Sequence, residues 1–349
     1  MPRPLPPLTT GGGASGYNGG MRLGVIDVGS NAAQLLVVDA HPGSAPLASY
    51  AFKRPTVLAE EIDADGALSA EGIRRVVRAM ASVVGRARSL DVGELFVFAT
   101  SAVRDAANRD EVVAAVREAT GLRPQFLTGE DEARLTYHAA HRWYGWSAGR
   151  LLLLDIGGGT LEVVLGRDAE PELAMSLPLG AGRMTRRFLH SDPPTGKQLR
   201  KLGKHVRTGL REAVERLRWE GAFDRAVATS KTFKQLARLA GAAPQSAGPL
   251  ARRSLTVEAL DHWIPELAKR TRAQRAALRG VSPSRAGQVV AGAAVARELM
   301  VALDVREVDI CPWALREGIM LHQLQHTLSP TDPLALRTVR PMGSSWERA

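Results

Sequence analysis

The chain has 349 residues, 45 % apolar and 23 % charged, a length that suits two domains and a composition that excludes both extensive disorder and a disulfide-stapled miniprotein. Its one cysteine, Cys311, rules out an internal disulfide framework or a thiolate zinc site and fits a reducing, cytoplasmic setting. A net charge of +10 favours a polyanionic partner such as nucleic acid, nucleotide, polyphosphate or acidic lipid, without choosing among them.

Residues 1–20 are rich in Pro, Gly, Ser and Thr, lack the apolar region of a secretory signal, and read as a disordered tail. Met21, directly before the first strand-like run, is an alternative start. No run reaches the roughly 18 uncharged apolar residues of a membrane span. The runs 23–27 and 34–39 then read as the arms of a β-hairpin around Asp27-Val28-Gly29-Ser30-Asn31. Spacing predicts a helix over 69–90, a buried strand over 94–100, a helix over 110–120, a strand over 123–127 and a helix from Gly129 to about Trp146. The runs 151–155 and 161–165 repeat the hairpin around Asp155-Ile156-Gly157-Gly158-Gly159-Thr160. Beyond it come a strand over 172–177, one long basic helix over 195–219, a strand over 225–228, a helix over 231–240 and a loop over 241–249. Helices over 257–269 and 286–303, a strand over 307–310 and a helix over 313–326 follow. The repeat predicts a mixed α/β chain in two related halves that face each other.

Each hairpin ends an apolar strand in Asp-x-Gly. Glycine there can take φ > 0 and lacks a Cβ, so successive backbone N–H groups can form a nest for phosphate oxygens. The Asp supplies a hard oxygen ligand of the kind Mg²⁺ takes together with water and substrate phosphate. Two such turns across a cleft would hold a phosphate chain. Either hairpin alone could be an ordinary glycine-rich turn, but repetition of the whole unit argues against that. Other patterns fail on context: Gly11, Gly13 and Gly16 spell G-x-G-x-x-G with no strand before and no helix after, and Gly196-Lys197 lacks the P-loop spacing. His322 with His326, and His138 with His141, lack a third ligand. In Glu130-Asp131-Glu132, Thr128 and Asp131 suit a capping box and Glu130 suits the positive helix end. Glu132 has no capping duty, and a carboxylate there can serve as a general base on water.

The chain resembles the exopolyphosphatase / guanosine pentaphosphate phosphohydrolase family from Met21 to about Gln325. The resemblance is carried by Ile26-Asp27-Val28-Gly29-Ser30-Asn31, Ala99-Thr100-Ser101-Ala102-Val103-Arg104-Asp105-Ala106 and Gly129-Glu130-Asp131-Glu132. It continues in the 155–162 hairpin, Leu177-Pro178-Leu179-Gly180-Ala181-Gly182-Arg183 and Leu315-Arg316-Glu317-Gly318. It implies two ribonuclease-H-like domains of the actin, heat-shock protein 70 and sugar kinase type, over 21–141 and 142–328, with an active-site cleft between them. The helix over 313–326 is a candidate to return to the first domain, and 329–349 is expected to be a flexible tail. By the same resemblance Glu132 corresponds to the catalytic base and Arg104 to a cleft arginine. Asp155 and Glu162, with Asp27, correspond to acids associated with Mg²⁺, and Gly29, Ser30, Asn31 and Gly157, Gly158, Gly159, Thr160 to phosphate loops.

The implied reaction is hydrolysis of the terminal phosphate of polyphosphate, with short chains favoured because the resemblance is to two-domain members without a further C-terminal domain. Guanosine pentaphosphate is the alternative substrate, and a non-catalytic polyphosphate or alarmone sensor the alternative class. Neither nucleic acid nor a membrane is expected as partner, and a homodimer is compatible with the family. Two positions depart from its pattern: Ala32 stands where a Ser or Thr is usual, and Lys231 replaces a glycine that the wider fold uses where adenosine sits. Lys231 would obstruct a nucleobase and offer a cation to a polyanion, or simply be solvated. Lys197, Arg200, Lys201, Lys204, Arg207 and Arg211 form a positive stripe, read either as a solvated face or as a track for the distal polyphosphate chain.

Overall fold

The computed structural model describes residues 21–40, 47–58, 61–63 and 65–326. The two expected tails and the pattern at Gly11, Gly13 and Gly16 lie outside them, as does the side chain of His326.

Alternation of apolar residues with period two builds the first sheet. It contains β1 (Met21–Val28), β2 (Ala32–Ala40), β3 (Tyr50–Pro55), β4 (Glu94–Ala99) and β5 (Gln125–Phe126), in the order β3-β2-β1-β4-β5. β2 is antiparallel to both β1 and β3, and β4 and β5 run parallel to β1. Ile26, Val28, Leu35, Val37 and Val97 point to one face, which α1 (Ala70–Ser89), α2 (Ser101–Arg104) and α3 (Arg109–Thr120) cover. Leu23, Val25, Leu36, Val38, Phe96 and Phe98 point to the other.

The second sheet joins β6 (Leu151–Ile156), β7 (Leu161–Gly166), β8 (Leu173–Leu177), β9 (Arg225–Thr229), β10 (Ser254–Thr256) and β11 (Glu307–Ile310) in the order β10-β11-β9-β6-β7-β8. Without the edge strand β10, its order β8-β7-β6-β9-β11 repeats the first sheet strand for strand, antiparallel and parallel pairings included. The hairpin repeat is thus the visible part of two ribonuclease-H-like sheets.

The remaining helices are α4 (Gly129–Tyr144), α5 (Ala181–Phe188), α6 (Gly196–Gly209), α7 (Arg211–Glu220), α8 (Ser230–Leu239), α9 (Val257–Ala268), α10 (Arg272–Ala276), α11 (Val289–Ala302) and α12 (Leu315–His326). One face of the second sheet, with Leu152, Leu154 and Val163, shares a core with α5, α6, α8 and α11. Its other face, with Leu151, Leu153 and Val164, takes Ala133, Tyr137 and Ala140 of α4. Helix α12 runs back and seats Ile319 and Met320 on the first sheet. No helix among the described residues is long and apolar enough to cross a membrane.

The expected single helix over 195–219 is two. It breaks at Leu210, beside Gly209, where a Cβ would stand 3.2 Å from Leu179 Cδ2, so the glycine lets the axis settle onto that leucine. Five short elements escaped the pattern reading: β3, β10, α2, α5 and α10. β3 is an edge strand whose side chains are mostly exposed, so it carries little apolar alternation.

Helices α4 and α12 cross where a Cβ on Gly318 would collide with the Leu135 carbonyl. Gly318→Ala should therefore destabilise the protein by about 1–3 kcal/mol through overpacking. Gly85→Ala, at an exposed α1 position with open space around it, should stabilise by about 0.5–1 kcal/mol. Urea unfolding of the two variants checks both signs.

Candidate functional site

The two Asp-x-Gly turns stand at matching ends of β1 and β6 and close in the same way: Gly29 N–H donates to the Ala32 carbonyl (3.0 Å) and Gly157 N–H to the Thr160 carbonyl (2.9 Å). Contrary to expectation, Gly29, Gly157, Gly158 and Gly159 do not use left-handed φ. Close approach explains Gly158 and Gly159 instead. A Cβ on Gly158 would strike the Ser30 hydroxyl, and one on Gly159 the Ser101 hydroxyl, so the turns of the two halves touch. Behind them, N–H groups of Gly180, Ala181 and Arg183 donate to the carbonyls of Gly159 (3.2 Å), Gly157 (2.9 Å) and Gly158 (2.9 Å). The first turn is braced by Thr56, whose hydroxyl donates to the Gly29 carbonyl at 2.9 Å.

Between the turns opens a cleft of about 440 Å³, lined by Asp27, Gly29, Ser30, Asn31, Glu132, Asp155, Gly157, Gly158, Thr160, Glu162 and Lys231. Gly159 instead faces a smaller pocket behind the turns, with Ser101, Asp105 and Arg183. Arg104 does not line the cleft wall but reaches Glu132 from beside it.

Glu132 owes its place to the start of α4. Thr128 and Asp131 form the full capping box, and Gly129 abuts Ser176 so closely that a Cβ would overlap its side chain. Ser176 in turn donates to Glu162 Oε1 at 2.9 Å. Glu132 is only 7 % exposed and accepts from Arg104 Nη1 at 2.6 Å. Burial pushes its carboxyl well above the usual carboxylate range, the nearby Glu162 charge adds to this, and Arg104 offsets only part. Asp155 and Glu162 face each other across β6 and β7, and burial raises both, the Asp155 charge adding to the rise at Glu162. Asp27 is raised by burial against the pull of Arg316, and its Oδ1 is buried without a hydrogen-bond partner. Asp155 is also held by the Ser230 hydroxyl. Ser230 sits at φ 73°, a left-handed conformation that costs a non-glycine residue about 1–3 kcal/mol.

Among the described residues no three acidic, histidine or cysteine side chains come together as a metal cage. Asp27, Asp155 and Glu162, the acids that the family resemblance associates with Mg²⁺, all line the one cleft.

The cleft also holds Lys53, Lys234, Arg285 and Arg316, to which the sequence reading gave no role. Burial and mutual repulsion among these cations lower the pKa of Lys231. Lys231 and Lys234 lie three residues apart at the start of α8, a spacing that could have flagged the pair. Lys53 sits on the unrecognised strand β3. The stripe Lys197, Arg200, Lys201, Lys204, Arg207 and Arg211 is exposed along α6 and α7, and none of it lines the cleft. Arg207 pairs there with Glu298 at 3.0 Å.

The model of the Ppx/GppA phosphatase family matches residues 36–327. Exopolyphosphatase 1 of Mycobacterium tuberculosis is 51 % identical over 304 residues, covering 87 % of this chain and 88 % of its own. Exopolyphosphatase 2 of the same organism is 30 % identical over 318 residues, covering 86 % and 98 %. Among solved structures, an exopolyphosphatase from Cytophaga hutchinsonii shares the fold with a TM-score of 0.80 at 21 % identity, covering 87 % of this chain and 98 % of its own. The Aquifex aeolicus PPX-GPPA enzyme does so with a TM-score of 0.70 at 24 % identity, covering 86 % and 99 %. By family model and by identity along most of its length, the chain belongs to the Ppx/GppA phosphatase family.

Proposed function

We propose that this protein is an exopolyphosphatase that removes the terminal phosphoryl group of inorganic polyphosphate by attack of water. One observation carries the reading: two clamped Asp-x-Gly turns meet at a cleft that sets buried carboxylates against the five cations Lys53, Lys231, Lys234, Arg285 and Arg316. A chain of phosphates is the ligand that such a cation set neutralises along its length. The relatives named exopolyphosphatase support the same substrate.

In this reading Arg104 holds Glu132 Oε1, and Oε2 takes a proton from water as the water oxygen bonds to the terminal phosphorus. The bridging P–O bond breaks, releasing orthophosphate and a polyphosphate shorter by one unit. The turns seat the terminal phosphoryl, with Ser30, Asn31 and Thr160 as polar contacts, and the lysines and arginines hold the preceding units. The acids fit Mg²⁺: they are hard oxygen donors, Asp27 Oδ1 is a buried acceptor without a partner, and Mg²⁺ completes its shell from water and phosphate. Asp27, Asp155 and Glu162, which close no cage by themselves, would hold it together with water and phosphate, and when bound it would neutralise charge on the phosphates. Lys231, which lines the cleft, weighs against a nucleotide-dependent kinase.

Phosphate release from defined polyphosphates and from guanosine pentaphosphate, measured in parallel with and without magnesium, tests the function. The reading expects magnesium-dependent release from polyphosphate; release from guanosine pentaphosphate alone, or from neither, overturns it. Glu132→Gln should lower kcat by about 10²–10⁴ and leave KM nearly unchanged. Because the base must be ionised and burial holds Glu132 high, kcat/KM should fall on acidification at a pH well above the ordinary carboxylate range. Replacing Lys53 and Lys231 together by alanine should raise KM for polyphosphate about a hundredfold or more, since each charge-assisted contact contributes about 1.5–3 kcal/mol.

A further inference from the structure

We propose that Asp105 is a positioning residue that ties the Gly157–Thr160 turn to Glu132, an inference that rests on the hydrolysis proposed above. Asp105 stands just past α2, on the first-sheet side of the cleft. Its Oδ1 accepts from Arg104 Nε at 2.9 Å and its Oδ2 from Arg183 Nη2 at 3.1 Å. Arg183, on α5 of the other half, also donates from Nε to the Gly159 carbonyl at 2.9 Å. Arg104 donates from Nη1 to the Leu127 carbonyl at 3.0 Å and to Glu132 Oε1 at 2.6 Å. An unbroken chain of charge-assisted hydrogen bonds therefore runs from the triple-glycine turn through Arg183, Asp105 and Arg104 to Glu132.

The chain works because a guanidinium is a rigid planar fork. Asp105 fixes Nε of Arg104, which sets the plane of the fork and hence the direction in which Nη1 presents itself to Glu132. With Asp105 gone, Arg104 keeps only its Nη1 contacts and can rotate about them. Arg183 is rooted on the same turn twice, since its backbone N–H donates to the Gly158 carbonyl at 2.9 Å. Displacement of that turn or parting of the two halves is thus transmitted to the carboxylate through two stiff joints. Asp105 lies in the pocket behind the turns, with Ser101 and Gly159, and not in the cleft, so it acts through Arg104 and not on substrate.

The test uses the full chain, tripolyphosphate as probe and unfolding curves to confirm that each variant is folded. Asp105→Asn keeps the shape but removes one of the two carboxylate acceptors. It should lower kcat about 10- to 100-fold with KM nearly unchanged, the scale of a small misplacement at a reacting centre. In a Glu132→Gln background the same substitution should change kcat by less than about threefold, because residues acting as a unit are not additive. Arg183→Lys, which keeps the charge but loses the fork, should behave like Asp105→Asn. An equal fractional loss in both backgrounds would mean simple fastening of the two halves and would overturn the proposal, as would unchanged kcat in either variant. Failure of the hydrolysis reading itself is distinct: the unsubstituted protein would release no phosphate.

Discussion

Four carboxyl groups share one poorly solvated cleft, and most of the local architecture answers to that. Asp27, Asp155, Glu162 and Glu132 come from β1, β6, β7 and α4, and burial raises the pKa of each. An acid raised on folding binds more protons folded than unfolded between its ordinary pKa, about 4, and its raised one, so this cluster weakens the fold as pH rises through that window. As these acids ionise, the site stores repulsion. Partners that relieve part of it are Arg104 on Glu132, Thr160 and Ser176 on Glu162, Lys234, Arg285 and Ser230 on Asp155, and the field of Arg316 on Asp27. The remaining deficit is what a cation and a phosphate chain with its own counter-cations would offset.

Acids that repel one another stay together only on a scaffold that does not yield. The two sheets supply it by ending β1 and β6 in turns of the same closure, and Gly158 and Gly159 let those turns touch where any side chain would part them. Gly180 does the same from behind, since a Cβ there would run into the backbone of Gly159 and Thr160. The strained φ of Ser230 fits this picture: backbone strain persists where the surrounding structure over-determines it, and here it sets a hydroxyl against Asp155.

Much of this was legible in the sequence. The hairpin repeat announced the duplicated sheet because both copies keep strand, Asp-x-Gly turn and strand in one unbroken run. Glu132 was legible by subtraction, since capping accounts for Asp131 and leaves its neighbour without a local duty. What was not legible depends on long-range packing. Lys53 lies on an edge strand with little apolar alternation, and Arg285 comes from a 3₁₀ turn far along the chain; only the fold brings them to one cleft. The basic stripe on α6 and α7 was the louder signal, yet it faces solvent, because local spacing says which charges share a helix face and nothing about what that face meets. Of the two reasons for glycine in these turns, the missing Cβ holds at Gly158 and Gly159 and the left-handed φ does not, as φ is a local property and the collision of two turns is not.

Helix α12, the last described element, covers a face of the first sheet. During synthesis Leu23, Val25, Phe96 and Phe98 leave the ribosome long before Ile319 and Met320 exist to cover them. The first half therefore keeps one sheet face incompletely covered until α12 is made, and a nascent chain exposes an oily surface for most of its translation, the kind of surface that molecular chaperones bind.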